Sequence, residues 1–156
     1  GCRMALIYAS KNPVDRMVIT GGAGIRDKRG LDYYARVYSY KAAKKVLSVL
    51  HMDKTKEALM HNAGSSDYKN TSGVMRETFV KVVNEDLSPY LPQVKCETLL
   101  VWGDKDEMTP LWMGKKMEKE MPDAGLAVFE NDDHFAYWHQ MNRFLAVIDI
   151  FLGDRK

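Results

Sequence analysis

A carboxylate and an imidazole follow two separate apolar segments in the last third of the chain. Asp106 comes shortly after residues 98–102, and His134 comes shortly after residues 126–130. A carboxylate bound to an imidazole fixes its tautomer and stabilises the imidazolium, which is the supporting half of a nucleophile–histidine–acid triad. The order of acid before histidine also matches one known triad order, serine, acid, histidine. The spacing therefore predicts that Asp106 and His134 act together as orienting acid and general base.

Two neighbouring aspartates compete with Asp106 for this role. Asp104 follows the first apolar segment more closely, and Asp133 directly precedes His134. A single aspartate in a loop more often stabilises a turn than takes part in chemistry. The position of Asp106 favours it as the partner, with Asp104 as the second choice.

The segments that carry these residues alternate between strand and helix patterns. Residues 16–20, 98–102 and 126–130 are short apolar runs, typical of strands buried on both faces of a parallel sheet. Strands separated by helices predict an α/β fold with three parallel strands and flanking helices. In such a sheet, ligands bind beyond the carboxyl ends of the strands, where both candidate loops begin.

Helical patterns flank the predicted strands. We predict helices over residues 2–12, 110–121 and 138–152, with Thr109 capping the second and Pro110 at its first position. Its inner face should carry three methionines at helical spacing: Met113, Met117 and Met121.

The segment between the first two predicted strands is helical in pattern. An amphipathic stripe of Ala43, Val46, Leu47 and Leu50 predicts one helix. Asp53 is positioned to cap a second helix and Ser72 a third, which carries Met75, Phe79 and Val82 on one face. We therefore divide the chain into a first core part (residues 1–25), a helical insertion (26–92) and a second core part (93–156).

Composition narrows the classes of function. The formal net charge is +2, from 23 basic and 21 acidic residues, so the basic surplus expected of a nucleic-acid-binding protein is missing. No apolar run is long enough to cross a bilayer, and no secretory signal opens the chain. Two cysteines do not make a disulfide framework. We expect a cytoplasmic protein that binds neither nucleic acid nor membrane.

Other residue patterns give weaker indications of chemistry. Residues 21–24 (Gly-Gly-Ala-Gly) follow a predicted strand but lack a third glycine in the register of a dinucleotide-binding turn. His51, His61 and His139 have no partner at metal-ligand spacing, so we expect surface histidines and no metal site. Cys2 is expected to be a small packed residue.

Taken together, these motifs resemble the C-terminal half of an α/β-hydrolase. The acid loop of that family has a strand, a glycine, two residues, the aspartate and a nearby proline, which correspond here to Gly103, Asp106 and Pro110. The family histidine, after the last strand, corresponds to His134. The resemblance implies Ser-His-Asp hydrolysis of an ester, amide or carbon–carbon bond in a small-molecule substrate, with no cofactor, and makes residues 26–92 the cap domain.

The chain departs from the family pattern in ways that matter for activity. It contains no G-x-S-x-G motif, and it opens on what reads as the interior of a helix, with Gly1 corresponding to the last glycine of that motif. Asp133 stands where the family often has glycine, and Glu97 where proline commonly follows a cysteine. We therefore expect a fragment whose nucleophile lies outside this chain, and which alone is inactive as an esterase. The strand at 16–20 would then have an open edge, which predicts a homodimer.

An apolar wall for the substrate is predicted near the two loops. Its candidate residues are Met108, Trp112, Phe135 and Tyr137.

Two other interpretations of the sequence remain open. Asp104 and Asp106 resemble the D-x-D motif of Mg²⁺-dependent haloacid-dehalogenase-like phosphatases, although Gly103 fits that pattern poorly. The other interpretation is a half-domain that folds or dimerises without catalysis.

Overall fold

The computed structural model describes residues 1–26, 31–49, 55 and 72–153. The chain divides into two compact units, one of Gly1–Arg26 with Asp86–Lys156 and the other of Asp27–Glu85. The second unit falls within the predicted insertion of residues 26–92, and residues 86–92 belong to the first unit. The interpretation of the insertion as a cap domain stays a prediction.

A three-stranded parallel sheet forms the centre of the first unit. Its strands are β1 (Arg16–Thr20), β2 (Glu97–Gly103) and β3 (Ala124–Phe129), in the spatial order β1-β2-β3. The predicted parallel strands are confirmed, with β3 starting two residues earlier than expected and ending at Phe129. Among the described residues β1 pairs on one side only, and the homodimer through its other edge stays a prediction.

The central strand β2 is buried on both faces. Leu100 and Trp102 belong to one core cluster, whereas Leu99 and Val101 belong to the other, on alternate positions of the strand. Because side chains alternate across a strand, a strand covered on both faces must be apolar at every position. This explains the unbroken apolar run in the sequence.

The described residues form six α-helices and one 3₁₀ helix. In chain order they are α1 (Cys2–Ala9), α2 (Leu31–Val49), α3 (Gly73–Asn84), the 3₁₀ helix (Ser88–Gln93), α4 (Leu111–Glu120), α5 (Ala136–His139) and α6 (Met141–Gly153). Helix α1 is three residues shorter than predicted and ends before Ser10, whose hydroxyl donates to the Ile7 carbonyl (2.8 Å). The predicted terminal helix is two helices, since Gln140 has a non-helical backbone (φ −111°, ψ 50°).

Helices cover both faces of the sheet. On one face, Leu6 of α1 and Met117 of α4 are fully buried, and Met121 is nearly so, as the methionine spacing predicted. Helix α4 approaches β2 closely at Gly114, where a Cβ atom would lie 2.9 Å from the Trp102 ring. On the other face, Phe144 and Ile148 of α6 pack against the second core cluster.

The described part of the second unit is helical, as the insertion was predicted to be. Ala43, Val46 and Leu47 lie on α2, and α3 begins directly after Ser72. Ser72 occupies the cap position without a side-chain hydrogen bond to the helix. The remaining predictions, on Leu50 and the helix after Asp53, fall outside the described residues.

None of the helices that the structure describes combines the length and apolar character needed to cross a membrane.

Candidate active site

Two loops leave the carboxyl ends of β2 and β3 and are held against each other. The Asp104 amide donates to the Phe129 carbonyl (3.1 Å), and the Lys105 amide donates to the Asp132 carbonyl (2.9 Å). A Cβ atom at Gly103 would lie 2.2 Å from the Asp133 carbonyl oxygen and 2.4 Å from that of Asp132. Only glycine allows this approach, because a methyl group would overlap backbone atoms.

The two loops bring Asp106 and His134 into direct contact. His134 Nδ1 lies 2.8 Å from Asp106 Oδ2, so the predicted contact is present. The Asp106 side chain is fully buried and that of His134 is 25% exposed. Because Nδ1 is committed to the carboxylate, Nε2 is the ring nitrogen left to accept a proton from another group.

Asp106 is held by a set of donors besides His134. Its Oδ1 accepts from the amides of Met108 (2.9 Å) and Thr109 (2.8 Å), and its Oδ2 accepts from the Thr109 hydroxyl (2.7 Å). The same hydroxyl lies 3.2 Å from His134 Nδ1. The Thr109 carbonyl accepts in turn from Trp102 Nε1 of β2. The carboxylate is therefore fixed in position before any substrate binds.

Thr109 was predicted to cap α4, and this prediction is wrong. Pro110 occupies the cap position and the helix begins at Leu111. The Thr109 hydroxyl bonds to the Asp106 carboxylate instead, where it satisfies a buried anion rather than a helix end. A threonine before proline is typical of a helix cap, so the sequence did not indicate that this hydroxyl bonds to the aspartate three residues earlier.

The pKa of Asp106 is lowered from its ordinary value of 3.8. Burial by itself raises this pKa, but the hydrogen bonds from the Thr109 amide, the His134 ring and the Thr109 hydroxyl outweigh it, together with the charge of His134. Asp106 is thus ionised at neutral pH and suited to stabilise a protonated imidazole.

Acid should remove the stabilisation that Asp106 provides. Since its folded pKa lies below the ordinary value of 3.8, this contribution is complete above that pH and is lost as the pH falls through the lower, folded pKa. The difference in unfolding free energy between the wild type and Asp106→Asn, measured in urea from pH 7 to pH 2, should therefore shrink only below about pH 4. A difference that stays constant down to pH 2 would contradict the assignment.

The competing aspartates have other partners. Asp104 Oδ1 accepts from the Asp132 amide (3.2 Å), and Asp133 Oδ1 accepts from the Phe135 amide (2.8 Å). Asp106 is thus the aspartate that the described contacts assign to His134. Since Asp104 and Asp106 bind different groups, the geometry does not favour a shared Mg²⁺ site of the D-x-D type.

The predicted pocket residues are only partly brought together. The Phe135 ring meets the His134 ring edge-on, with centroids 5.5 Å apart, and is 47% exposed. Tyr137 packs against Phe144 of α6 (6.0 Å). Met108 and Trp112 are exposed. Their role as a substrate wall stays a prediction.

Cys2 is half-buried and unpaired, as expected of a packed residue. Burial raises the pKa of its thiol to about 11, against the opposing charge of Arg3. A thiol with this pKa is almost entirely protonated at neutral pH and is a poor nucleophile.

Sequence reasoning missed Gly21, which touches the Asp106–His134 pair. It follows β1 with a positive φ of 50°, and a Cβ atom there would lie 2.8 Å from both Cε1 and Nδ1 of His134. The only sequence signal was a glycine directly after a strand, at the edge of the sheet where ligands bind.

Replacing Gly21 by alanine should displace the His134 ring. A second glycine of the same conformation provides the control, since Gly73 has a φ of 53° and a Cβ atom there would meet no atom of the described residues within 4 Å. Both substitutions cost about 1 to 2 kcal/mol of backbone strain, but only Gly21→Ala should shift the His134 imidazole NMR signals and lower turnover. Equal effects of the two variants on His134 would show that the contact is unimportant.

A second carboxylate–imidazole pair lies beside the first and was also missed. His139 was expected to be a surface histidine; it is 49% exposed, yet its Nδ1 lies 2.7 Å from Oδ1 of the buried Asp132. The contact joins residues seven apart across a short helix, so its sequence spacing carried no recognisable pattern. His51 and His61 lie outside the described residues.

No family model matches the chain, whereas curated relatives do. It is 44% identical over 69 residues to the 2-hydroxy-6-oxo-6-phenylhexa-2,4-dienoate hydrolase of Delftia acidovorans, a match covering 44% of this chain and 24% of that protein. It is 25% identical to the enzyme of the same name from Comamonas testosteroni, covering 99% of this chain and 60% of the relative. The chain thus spans about 60% of the length of a relative to which nearly all of its own residues align.

Solved structures agree on the architecture. An α/β-hydrolase enzyme from a Medee basin deep-sea metagenome library aligns with 100% of the chain and 63% of its own (TM-score 0.63, 23% identity). A variant of the meta-cleavage product hydrolase CumD aligns with 99% of this chain and 60% of its own (TM-score 0.58, 18% identity). The chain therefore has the fold of the C-terminal part of an α/β-hydrolase. Among its homologues are proteins named as hydrolases of 2-hydroxy-6-oxo-dienoates.

Proposed function

We propose that this chain supplies the general base and the orienting acid of a Ser-His-Asp hydrolase. The observation that carries the proposal is the 2.8 Å hydrogen bond between His134 and the buried Asp106, at the carboxyl edge of a parallel sheet. This edge is where α/β proteins place their ligands. The resemblance of the surrounding loops to the family's acid and histidine loops supports the same roles.

In the proposed mechanism, His134 accepts a proton at Nε2 from a nucleophilic hydroxyl and later donates it to the leaving group. Asp106 remains ionised throughout and stabilises the imidazolium through Nδ1. Its hydrogen bonds from Thr109 and Met108 keep it in place, so little reorganisation accompanies the proton transfer.

The nucleophile in this proposal is a serine outside these 156 residues, because the chain itself contains no G-x-S-x-G motif. The chain alone is accordingly expected to be inactive towards esters. The complete protein would act in the cytoplasm without a cofactor, with residues 26–92 as its cap.

The proposed substrate is a 2-hydroxy-6-oxo-dienoate, cleaved at a carbon–carbon bond. The support is the 44% identity to a 2-hydroxy-6-oxo-6-phenylhexa-2,4-dienoate hydrolase, together with several other relatives named for substrates of this class. Phe135, whose ring lies against that of His134, is a suitable contact for a conjugated or phenyl-bearing substrate.

A spectrophotometric assay tests this function on the protein at its natural length. Decay of the absorbance of 2-hydroxy-6-oxo-6-phenylhexa-2,4-dienoate is compared with hydrolysis of a simple aryl ester, in the wild type and in His134→Ala. We expect turnover of the dienoate that His134→Ala abolishes. Turnover of the ester alone would overturn the substrate assignment, and activity that survives His134→Ala would overturn the role of the base.

A further inference from the structure

We propose that Asp132 and His139 are positioning residues: their ion pair holds the turn from which His134 projects, and so sets the geometry of the Asp106–His134 pair. This inference rests on the proposed function for its catalytic consequence, although its structural content is independent of it.

The first observation is the bonding of the Asp132 carboxylate, whose side chain is only 8% exposed. Its Oδ1 lies 2.7 Å from His139 Nδ1 and accepts from the Asp133 amide (3.0 Å), and its Oδ2 accepts from Gln140 Nε2 (2.9 Å). A buried carboxylate with this many donors is fixed in one orientation, because losing any donor leaves a desolvated charge partly unsatisfied.

The second observation is where these contacts fall along the chain. Asp132 lies two residues before His134, and His139 and Gln140 lie five and six residues after it. The contacts of Asp132 with His139 and Gln140 therefore join the two ends of the segment that contains His134. Within this segment, the His139 amide also donates to the Phe135 carbonyl (3.1 Å).

The third observation is that Asp132 is tied to the loop that carries Asp106. Its amide donates to Asp104 Oδ1 (3.2 Å), and its carbonyl accepts from the Lys105 amide (2.9 Å). One residue thus connects the loop that carries Asp106 (the acid loop, residues 104–110), the turn that carries His134 (the histidine turn, residues 130–135) and the end of α5. A shift of Asp132 would change the separation of Asp106 and His134 directly.

The charge on His139 contributes to this arrangement. The hydrogen bond to Asp132 raises the pKa of His139, against the effect of burial and with help from the charges of Asp133 and Asp132. Burial raises the pKa of Asp132, but the hydrogen bonds from His139, Gln140 and the Asp133 amide, with the charge of His139, outweigh it, so this pKa is lowered. The ion pair therefore exists between the lowered pKa of Asp132 and the raised pKa of His139.

The groups around His139 come from three elements. Asp132 and Asp133 face it from the histidine turn, Asp133 Oδ1 at 3.5 Å from His139 Nδ1. From α6, Arg143 reaches the cluster through Gln140 Oε1 (3.3 Å). The acid loop contributes Asp104, through the Asp132 amide.

The sign of the pH effect follows from these directions. Because the folded pKa of His139 is raised, the stabilisation that its charge provides is complete below its ordinary value of 6.5 and is lost as the pH rises through the raised pKa. Above that pH a neutral imidazole still donates to Asp132, so the turn is held by the hydrogen bond without the ion pair.

The test follows the ring signals of His134 by NMR in the ¹⁵N-histidine-labelled protein at its natural length. Three variants are compared with the wild type: Asp132→Asn, His139→Ala and His139→Asn, whose amide nitrogen occupies the position of Nδ1. Asp149→Asn, which removes an exposed aspartate of α6, is the control. We expect the signal of the Nδ1 proton that His134 shares with Asp106 to be lost in Asp132→Asn and His139→Ala, and retained in His139→Asn and in the control.

A pH titration isolates the charge of His139. In the wild type, the His134 signals should shift as the pH passes through the raised pKa of His139, and His139→Asn should remove that shift while its amide nitrogen preserves the hydrogen bond to Asp132. Should Asp132→Asn and His139→Ala fail to fold, the His139→Asn titration still decides the matter. A shift at this pH that persists in His139→Asn would overturn the coupling.

Turnover separates this inference from the proposed function. We expect kcat to fall about tenfold in His139→Ala, with KM little changed and with rescue by His139→Asn, as for loss of a positioning contact. Lower stability in Asp132→Asn with unchanged His134 signals would show a merely structural role and would overturn the inference. If the variants alter the His134 signals but turnover is unchanged in His134→Ala, the positioning role stands and the proposed function is wrong.

Discussion

Replacement of Asp106 by asparagine should lower the kcat of the protein at its natural length by about 10⁴-fold, with the fold intact. Asparagine occupies nearly the same volume and can still accept from the Thr109 and Met108 amides at one oxygen. It cannot stabilise an imidazolium, and its amide nitrogen would face His134 Nδ1 or the Thr109 hydroxyl as a donor. The histidine would then favour the wrong tautomer for a general base.

The control for this prediction is Glu107→Gln, which removes the charge of an exposed carboxylate on the same loop. We expect that variant to retain wild-type turnover. The measurement is kcat on the dienoate substrate, accompanied by near-ultraviolet circular dichroism to show that both variants are folded. A loss below about tenfold in Asp106→Asn would mean that another group orients His134, contrary to the observed 2.8 Å contact.

Replacement of Gly103 by alanine should be the most disruptive single methyl addition near the site. The added carbon would lie 2.2 Å from the Asp133 carbonyl oxygen, and this obstacle is backbone rather than a flexible side chain. The loops after β2 and β3 must therefore separate, which breaks the Lys105–Asp132 hydrogen bond and moves His134 away from Asp106. We expect a loss of stability at or above the usual 1 to 3 kcal/mol for overpacking, and turnover lowered by at least 10²-fold.

Gly125→Ala is the matched control for this substitution. Gly125 lies in the neighbouring strand β3, where a methyl group meets no atom within 4 Å. Alanine should be tolerated there, with a change in unfolding free energy near zero or slightly favourable because it reduces the entropy of the unfolded chain. Urea denaturation of both variants measures the difference, and equal stabilities would contradict the close approach of the two loops.

The two Asp–His pairs differ in how their contributions to stability depend on pH. The Asp106 contribution to stability is lost in acid, below its ordinary pKa of 3.8, whereas the His139 charge is lost as the pH rises above its raised pKa. Both pairs depend on the same turn, so a pH–stability profile should fall at both ends. Asp106→Asn should reduce the fall on the acid side, to which the lowered pKa of Asp132 also contributes, and His139→Asn should flatten the alkaline side.

The sequence by itself determined the strands, their parallel arrangement and the regions of the chain that meet. The run at residues 99–102 is apolar at every position because β2 is covered on both faces, and an unbroken run of this kind is typical of a parallel strand. Once the strands alternate with helices, the loops after them must share one edge. That constraint alone placed Asp106 and His134 near each other.

Only the tertiary structure decided which groups bond at that edge. From the sequence, three aspartates were candidates to bind His134: Asp104, Asp106 and Asp133. Which of them does so depends on the paths of the loops, and local conformational preferences do not determine those paths. Thr109 bonds to Asp106, Gly21 contacts the His134 ring and Asp132 holds His139. Each of these contacts depends on the direction in which packing sets a backbone segment or a side chain, rather than on residue type alone. Sequence pattern identifies the elements and their edges, whereas hydrogen-bond partners follow from the exact distance at which those elements pack.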